Sequence, residues 1–460
     1  MRNAMAVMSE RPGAPARAPA PRGSPDAAAR RAGGPAMTGY GRPGPVTAPT
    51  GSRGRLRGVR RCDVAVIGGG LTGLSAAVEL LELDPNRRVV LLEADQVAAG
   101  ASGRGTGLLG PRVGPALTVA RKRYGDEVAR AAHLWSVEAV RHVVGLVDRH
   151  GISCDLTPGG QLVVAAGGRA VEAQRREAEA ARSLGLPVEL VERRSLPAVA
   201  ARYDSGLRYE SAATLDPAAL TAQLARIGEQ RGLTVFERSP VRRVRRGLLT
   251  TVSTDDGEVV AGHVVVALNA YGSGPGAPGG VVGLRVQAGV TGKLPEAALR
   301  ALDGLTTEPL IEQGELAPYF RLTPDGRLVV GGVVERGTHG SVAPAPGRLR
   351  SAVRALSPAL AGVELDSAWA GPIGMTRDGL PVLGHHPDDP QLLHAGGCNG
   401  HGLAVSAYQG ALLARWIARG ELEPLTRALP WVRPRAPWVP RGRLADLALD
   451  RYLAHLSNAA

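Results

Sequence analysis

Residues 60–94 read RRCDVAVIGGGLTGLSAAVELLELDPNRRVVLLEA, and this stretch decides the fold. An apolar run, Val64 to Ile67, enters a turn built on Gly68, Gly70 and Gly73; a small-residue helix follows, then a second apolar run ending at Glu93. Each part has a physical role in holding a dinucleotide. Gly68 permits the tight turn, Gly70 lets the backbone approach a pyrophosphate, and Gly73 lets the helix lie close to the sheet. The helix start presents free N–H groups and the positive end of its dipole to the phosphates. Glu93, twenty residues past Gly73, is placed to accept hydrogen bonds from a ribose, and its charge would repel a 2′-phosphate, which disfavours NADP.

Outward from this unit, 460 residues are enough for two domains. Aromatic residues are only 3% of the chain, so the core is built from Val, Leu and Ala. Lysine occurs twice, at Lys122 and Lys293, and arginine supplies the other 53 basic residues, a compositional bias before it is a functional one. Of the net charge of +13, residues 1–60 carry +9, from eleven arginines against Glu10 and Asp26. The remaining +4 is too little for a basic nucleic-acid-binding body, and residues 1–58, rich in Pro, Gly, Ala and Arg, read as a disordered basic arm. With no signal-peptide core and no apolar run of membrane-spanning length, a soluble cytoplasmic protein is expected. Cys62, Cys154 and Cys398 are too widely separated for a disulfide framework or a zinc or iron–sulfur site, so no metal is expected.

Downstream of Glu93 lies QVAAGASGRGTGLLGPRVG, residues 96–114, a flexible segment whose ordering is costly unless it closes over something. Residues 116–150 read as a helix, 160–166 as a strand and 169–184 as a charged helix stopped by Gly185 and Pro187. Asp216 caps a helix that has Pro217 at its first position. An antiparallel pair flanks Asp256 and Gly257, and 262–272 forms a buried strand that returns to the nucleotide-binding sheet. Short strands between 285 and Trp369 make a second, mainly antiparallel sheet. A last strand meets the glycine cluster at 396–402, and a helix follows, ended by Gly420. The pattern gives an α/β fold: a Rossmann-like domain from 59–115, 200–284 and 371–423, a substrate domain from 116–199 and 285–370, and a C-terminal extension, 424–460, with no assigned chemistry.

Taken in order, the fingerprint ending at Glu93, GASGRGTG, LDPAAL, VVVALNAYG, RVQAGVTGKL, DGRLVVGG, and WAGPIGMTRDGLPVLG followed by GGCNGHGL make a composite signature. It resembles the FAD-dependent oxidoreductases of the D-amino-acid oxidase superfamily, nearest the branch of gamma-glutamylputrescine, glycine and sarcosine oxidases, over about residues 60–423. The resemblance implies that Gly68, Gly70, Gly73 and Glu93 hold the ADP half of FAD. It further implies that Ser102, Gly103 and Arg104 pass the pyrophosphate beside the flavin and that Val241 lies near the adenine. Ala267 and Asn269 then sit on the phosphate side, and Gly397, Asn399, Gly400, His401, Gly402 and Leu403 line the pyrimidine edge. The implied reaction takes a hydride from a carbon bearing an amine, gives an imine that water hydrolyses, and passes the electrons to oxygen or another acceptor. In such chemistry the protein chiefly orients the C–H bond.

Departures from the family pattern sharpen these expectations. No histidine lies between Glu93 and Gly114, and Gly371-Pro372-Ile373 stands where a relative has a flavin-linking cysteine, so noncovalent FAD is expected, with Cys398 the remaining thiol near the ring. Val330 stands nearest the position of an oxygen-activating lysine, which leaves a dehydrogenase open. Arg104, Arg285, Tyr319 and Arg321 are candidates for gripping a substrate carboxylate, since arginine's planar fork suits it. Of these, Arg104, Tyr319 and Arg321, with His401, are the candidate catalytic set. His385 and His386 read as exposed, His394 as a strand residue, and Trp369 as core or a wall of the site. The competing readings are a tRNA-modifying flavoenzyme, which the modest core charge disfavours, and a non-catalytic flavoprotein partner.

Overall fold

The computed structural model describes residues 53–314, 317–334 and 346–439. Strand β1 (Gly58–Ile67) feeds helix α1 (Leu71–Leu83), which returns to β2 (Val89–Leu92) lying parallel to β1. Four-residue apolar runs buried on both faces, as in β2, are what a parallel sheet covered by helices requires. Helix α2 (Ala101–Arg104) follows, and α3 (Asp126–His150) packs beside α1 over the same core. Helix α4 (Pro217–Gln230) leads to β3 (Thr234–Phe236), parallel to β2. Asp216 caps α4, accepting from the N–H groups of Ala218 and Ala219 at 2.8 and 3.1 Å, with Pro217 in the first turn as the sequence implied.

The sheet then grows on its other side. Strand β4 (Thr250–Ser253) runs antiparallel to β5 (Gly257–Val266), which lies parallel to β1. The chain thus leaves β1 to one side for β2 and β3 and later returns to the opposite side for β5. Beyond the carboxyl ends of β1 and β5 this reversal opens a crevice, where open α/β sheets bind their ligands.

The second sheet has eight strands in the order 365–376, 281–293, 327–334, 319–322, 310–312, 161–165, 205–209 and 188–192. Named for use below are β6 (Val281–Lys293), β7 (Tyr319–Leu322), β8 (Arg327–Val334) and β9 (Leu365–Thr376). All neighbours are antiparallel except 310–312 with 161–165. Strand β10 (Asp389–Gly396) then joins the first sheet parallel to β5, and helix α5 (Gly402–Arg419) packs on α1 and closes the fold. Among the described residues no helix is long and apolar enough to cross a membrane, and no group of three His, Cys, Asp or Glu is placed to hold a metal.

Four differences from the sequence reading have local causes. The helix expected over 116–150 is two helices, because Gly125 takes φ 84°, ending Leu117–Tyr124 and starting α3. Residues 205–209, expected with the first domain, pair with 161–165 and 188–192 in the second sheet, a pairing that depends on distant partners. The arm expected to run to residue 58 is packed from Arg53 onward, with the Leu56 side chain fully buried; residues 1–52 lie outside the described residues. Beyond residue 423, Trp431 is fully buried and stacks edge-on to Trp135 at 5.2 Å, so the described part of the C-terminal extension belongs to the core.

Candidate active site

The crevice has two ends, and the one at the β1 turn is built from backbone. Gly68 has φ 111°, and a Cβ there would stand 2.6 Å from the Ala267 carbonyl oxygen at the end of β5. A Cβ on Gly73 would lie 2.0 Å from the Gly68 carbonyl oxygen, so only glycine lets α1 cross the turn this closely. Gly70, at the start of α1, supplies no side-chain cap, and the Ser102 hydroxyl accepts from the Leu71 N–H at 2.9 Å. A Cβ on Gly70 would approach that hydroxyl to 2.8 Å. This cradle of bare N–H groups at a helix start fits a pyrophosphate in both shape and charge. At its rim the Glu93 carboxylate accepts from the Gly69 N–H at 2.7 Å and the Asp95 N–H at 2.9 Å. Burial pushes the Glu93 carboxyl above the ordinary range, against the pull of those two donors. Val241 follows Ser239, whose N–H bonds the Glu93 carbonyl at 2.8 Å; its half-buried side chain packs with the cluster around Val90 and Leu92.

The other end is assembled from elements far apart in the chain. Helix α2 lies against β9: the Trp369 indole donates to the Arg104 carbonyl at 3.0 Å, and the Arg104 guanidinium donates to the Ala370 carbonyl at 3.3 Å. Gly103 is buried in that turn, 2.3 Å from the Ala98 carbonyl oxygen at its would-be Cβ. Arg285 stands on β6 opposite Pro372, two residues along β9 from the Ala370 carbonyl that holds Arg104. Tyr271, which follows β5, is 58% exposed and within electrostatic reach of Arg104, Arg285, Glu93 and Asp95.

Two asparagines fix the loop after β10. The Asn269 carbonyl oxygen accepts from the Gly397 and Cys398 N–H groups at 2.9 and 3.3 Å, while its amide donates to the Cys398 sulfur at 3.3 Å. Asn399 accepts from the Thr376 N–H at 2.9 Å and donates to the Gly397 carbonyl at 2.6 Å. Both take positive φ, 41° and 51°, a cost offset by these bonds. The loop turns through Gly400 into His401, whose N–H bonds the Cys398 carbonyl at 3.0 Å, and then into Gly402 and Leu403 at the start of α5. Burial drives the His401 ring pKa down to about 3, so the imidazole there is neutral. The bare N–H groups at the start of α5 suit an electron-rich ring edge.

Tyr319 and Arg321 share one face of β7, as alternation requires. The buried Arg321 serves the scaffold: its guanidinium donates to the Thr106 carbonyl at 2.5 Å and the Leu215 carbonyl at 3.3 Å, tying down the loop that follows Arg104. The Tyr319 ring lies over Gly331, where a Cβ would stand 2.4 Å from its hydroxyl, so it too packs into the scaffold. The structure therefore sets Arg104 and Arg285 at the 370–372 stretch of β9 and His401 at the start of α5, and makes Arg321 and Asn269 braces of the neighbouring loops. Val330 is fully buried in the second core and brings no cation to the site. His385 and His386 stand on a strand at the sheet edge; His394 is buried inside it. Sequence reasoning passed over Tyr271 and Thr376, although an aromatic just beyond a parallel strand's carboxyl end and a hydroxyl opening the TRDG turn were signals for them.

A family model for FAD-dependent oxidoreductases, DAO, matches residues 63–416. The gamma-glutamylputrescine oxidoreductase of Escherichia coli is 30% identical over 385 residues, covering 79% of this chain and 84% of that protein. The crystal structure of glycine oxidase from Geobacillus kaustophilus superposes with a TM-score of 0.69 at 22% identity, over 81% of this chain and 98% of that one. An L-alpha-glycerophosphate oxidase from Mycoplasma pneumoniae with FAD bound superposes with a TM-score of 0.64 at 16% identity, over 83% and 100%. A switch point with a glycine cradle on one side and a braced helix start on the other defines a dinucleotide-binding α/β protein. The chain belongs to the FAD-dependent oxidoreductase family, and its cofactor is FAD.

Proposed function

We propose that the protein oxidises the C–N bond of an amine that carries a carboxylate, an amino acid or an N-substituted one, to an imine that water then hydrolyses. The observation that carries this reading is that Arg104 and Arg285 meet the same stretch of β9, Arg104 at the Ala370 carbonyl at 3.3 Å and Arg285 across from Pro372. Two guanidinium groups there favour an anionic substrate and disfavour a bare polyamine, since like charges brought together at a low-dielectric site repel. The relatives named for gamma-glutamylputrescine and glycine both act on amines, which supports the C–N bond as the target.

Bound FAD supplies the two-electron acceptor for the hydride. The chain's own residues bind and orient: Arg104 and Arg285 hold the carboxylate, Tyr271 covers the entrance, and neutral His401 leaves the start of α5 free to face the flavin's pyrimidine edge. No side-chain base is needed when the amine arrives unprotonated. FAD is held without a covalent link, consistent with the Cys398 sulfur being buried and bonded by Asn269. Oxygen is the proposed acceptor, giving peroxide on reoxidation.

The test is anaerobic mixing of the FAD-loaded protein with a panel of amino acids, N-substituted amino acids and polyamines while the long-wavelength flavin band is followed. Bleaching by carboxylate-bearing amines is expected. A protein bleached only by polyamines, or by nothing in the panel, would sink the reading. Readmitted air should restore the band with one peroxide per turnover, and acid precipitation should leave the yellow colour in solution.

A further inference from the structure

Residues 53–57 lie ahead of the family-matched segment, yet they are built into the ADP end of the crevice. The Arg53 side chain, 12% exposed, grips the Glu229 carboxylate with two donors at 2.7 and 2.9 Å, and its third nitrogen holds Glu237 at 3.1 Å. The same Glu237 oxygen accepts from the Val97 N–H at 3.0 Å, in the loop that Glu93 opens. The Arg53 carbonyl takes the Arg238 guanidinium at 2.8 Å, and the Leu56 N–H donates to the Ser239 hydroxyl at 2.8 Å. Residues 237–239 are in turn bonded to the ribose loop, Arg238 N–H to the Asp95 carbonyl and Ser239 N–H to the Glu93 carbonyl, both at 2.8 Å. Arg238 sits at φ 50°, a conformation that needs such over-determination. Leu56, fully buried beside Val90 and Leu92, anchors the strap in the core.

We infer that this strap is a positioning element for the adenosine end of FAD, with Arg53 as its positioning residue. The inference rests on the reading that Glu93 faces the ribose. Arg53 touches no part of the crevice itself; it acts through Glu237 on Val97 and so on where Glu93 stands. It also supplies the positive charge between Glu229 and Glu237. Without it, the nearly buried Glu237 loses its ion pair, and a carboxylate left unpaired there is relieved only by moving away, carrying the 93–97 loop with it.

The experiment titrates full-length apoprotein with FAD, with ADP and with riboflavin. Arg53→Met should weaken both FAD and ADP by about tenfold, leave riboflavin binding and the flavin spectrum of the saturated protein unchanged, and be partly rescued by Arg53→Lys. A purely structural role would lower the melting temperature of the apoprotein without separating ADP from riboflavin. Unchanged dissociation constants for FAD and ADP in a folded Arg53→Met protein overturn the inference. Should that variant not fold, Glu237→Gln removes the pairing charge at constant size and is judged by the same two constants. Weak FAD binding by the unsubstituted protein would instead count against the cofactor site itself, which keeps the two failures apart.

Discussion

The two ends of the crevice proposed to hold FAD are built by different means. The ADP end is centred on one continuous stretch, Gly68 through Glu93, whose backbone N–H groups side-chain substitution cannot remove, with more distant segments only bracing it. The flavin end is made of pieces from α2, β9 and the loop after β10, held together by Asn269 and Arg321 across more than a hundred residues and by Asn399 across 23. Binding can thus be fixed by a compact local code, while the reacting face stays open to change wherever a brace changes. The same division explains how one fold carries enzymes with different substrates.

The heaviest blow to the ADP end is Gly73→Val. Its Cβ has no room beside the Gly68 carbonyl, so about 3 kcal/mol of stability and nearly all bound FAD should be lost, read from the urea midpoint and the flavin-to-protein ratio. Retention of full FAD content would break the close-crossing account of this end. At the other end, Arg104→Met should lower kcat/KM for a carboxylate-bearing amine about 100-fold while changing the FAD dissociation constant only slightly. Equal losses for anionic and cationic amines would remove Arg104 from substrate recognition.

Asn269→Ala probes the braces. With two loop N–H groups left without their acceptor, FAD should bind about tenfold more weakly, and the flavin band should shift. ADP binding should not change; a parallel loss of ADP affinity would mean that the two ends are not separable.

The smallest effect is in pH, where the ends have opposite signs. Glu93 has a raised folded pKa, so in the apoprotein it favours folding at low pH and that contribution is lost as pH rises through the raised value. Ribose hydroxyls donate to its ionised form, so FAD affinity should fall as pH drops through that same value, and Glu93→Gln should flatten the profile. His401, lowered to about 3, acts the other way. Its neutral form is fully compatible with folding above the unfolded value of about 6.5, and stability is lost as pH falls from there toward 3. His142 and His394, both lowered to about 4 by burial, add to that loss. Acid unfolding followed by circular dichroism should begin nearer neutrality in the native protein than in His401→Gln.

What was legible in the sequence follows the same line. The turn, its helix, the capped start of α4 and the glycine loop before α5 could be read because each is specified within a few residues of itself. The role of Asn269 could not, since its partners stand 128 and 129 residues away and nothing in LNAYG announces them. Arg321 looked like a carboxylate ligand because its residue type suits one, and only the positions of Thr106 and Leu215 show where its donors go. Arg53 was hidden for a different reason: among ten arginines in a low-complexity arm, composition masked a buried ion pair.

The partnership of α1 with α5 has a consequence for how the protein is made. A Cβ on Gly410 would stand 2.2 Å from the Thr72 carbonyl oxygen, so the first helix of the nucleotide unit is completed by nearly the last. During synthesis, β1, α1 and β2 leave the ribosome early but must wait for more than 300 further residues before the surface of α1 is covered. Domains that close within a short stretch fold as they emerge. Here an early segment is completed only when α5 has emerged, so cofactor capture waits on that late helix.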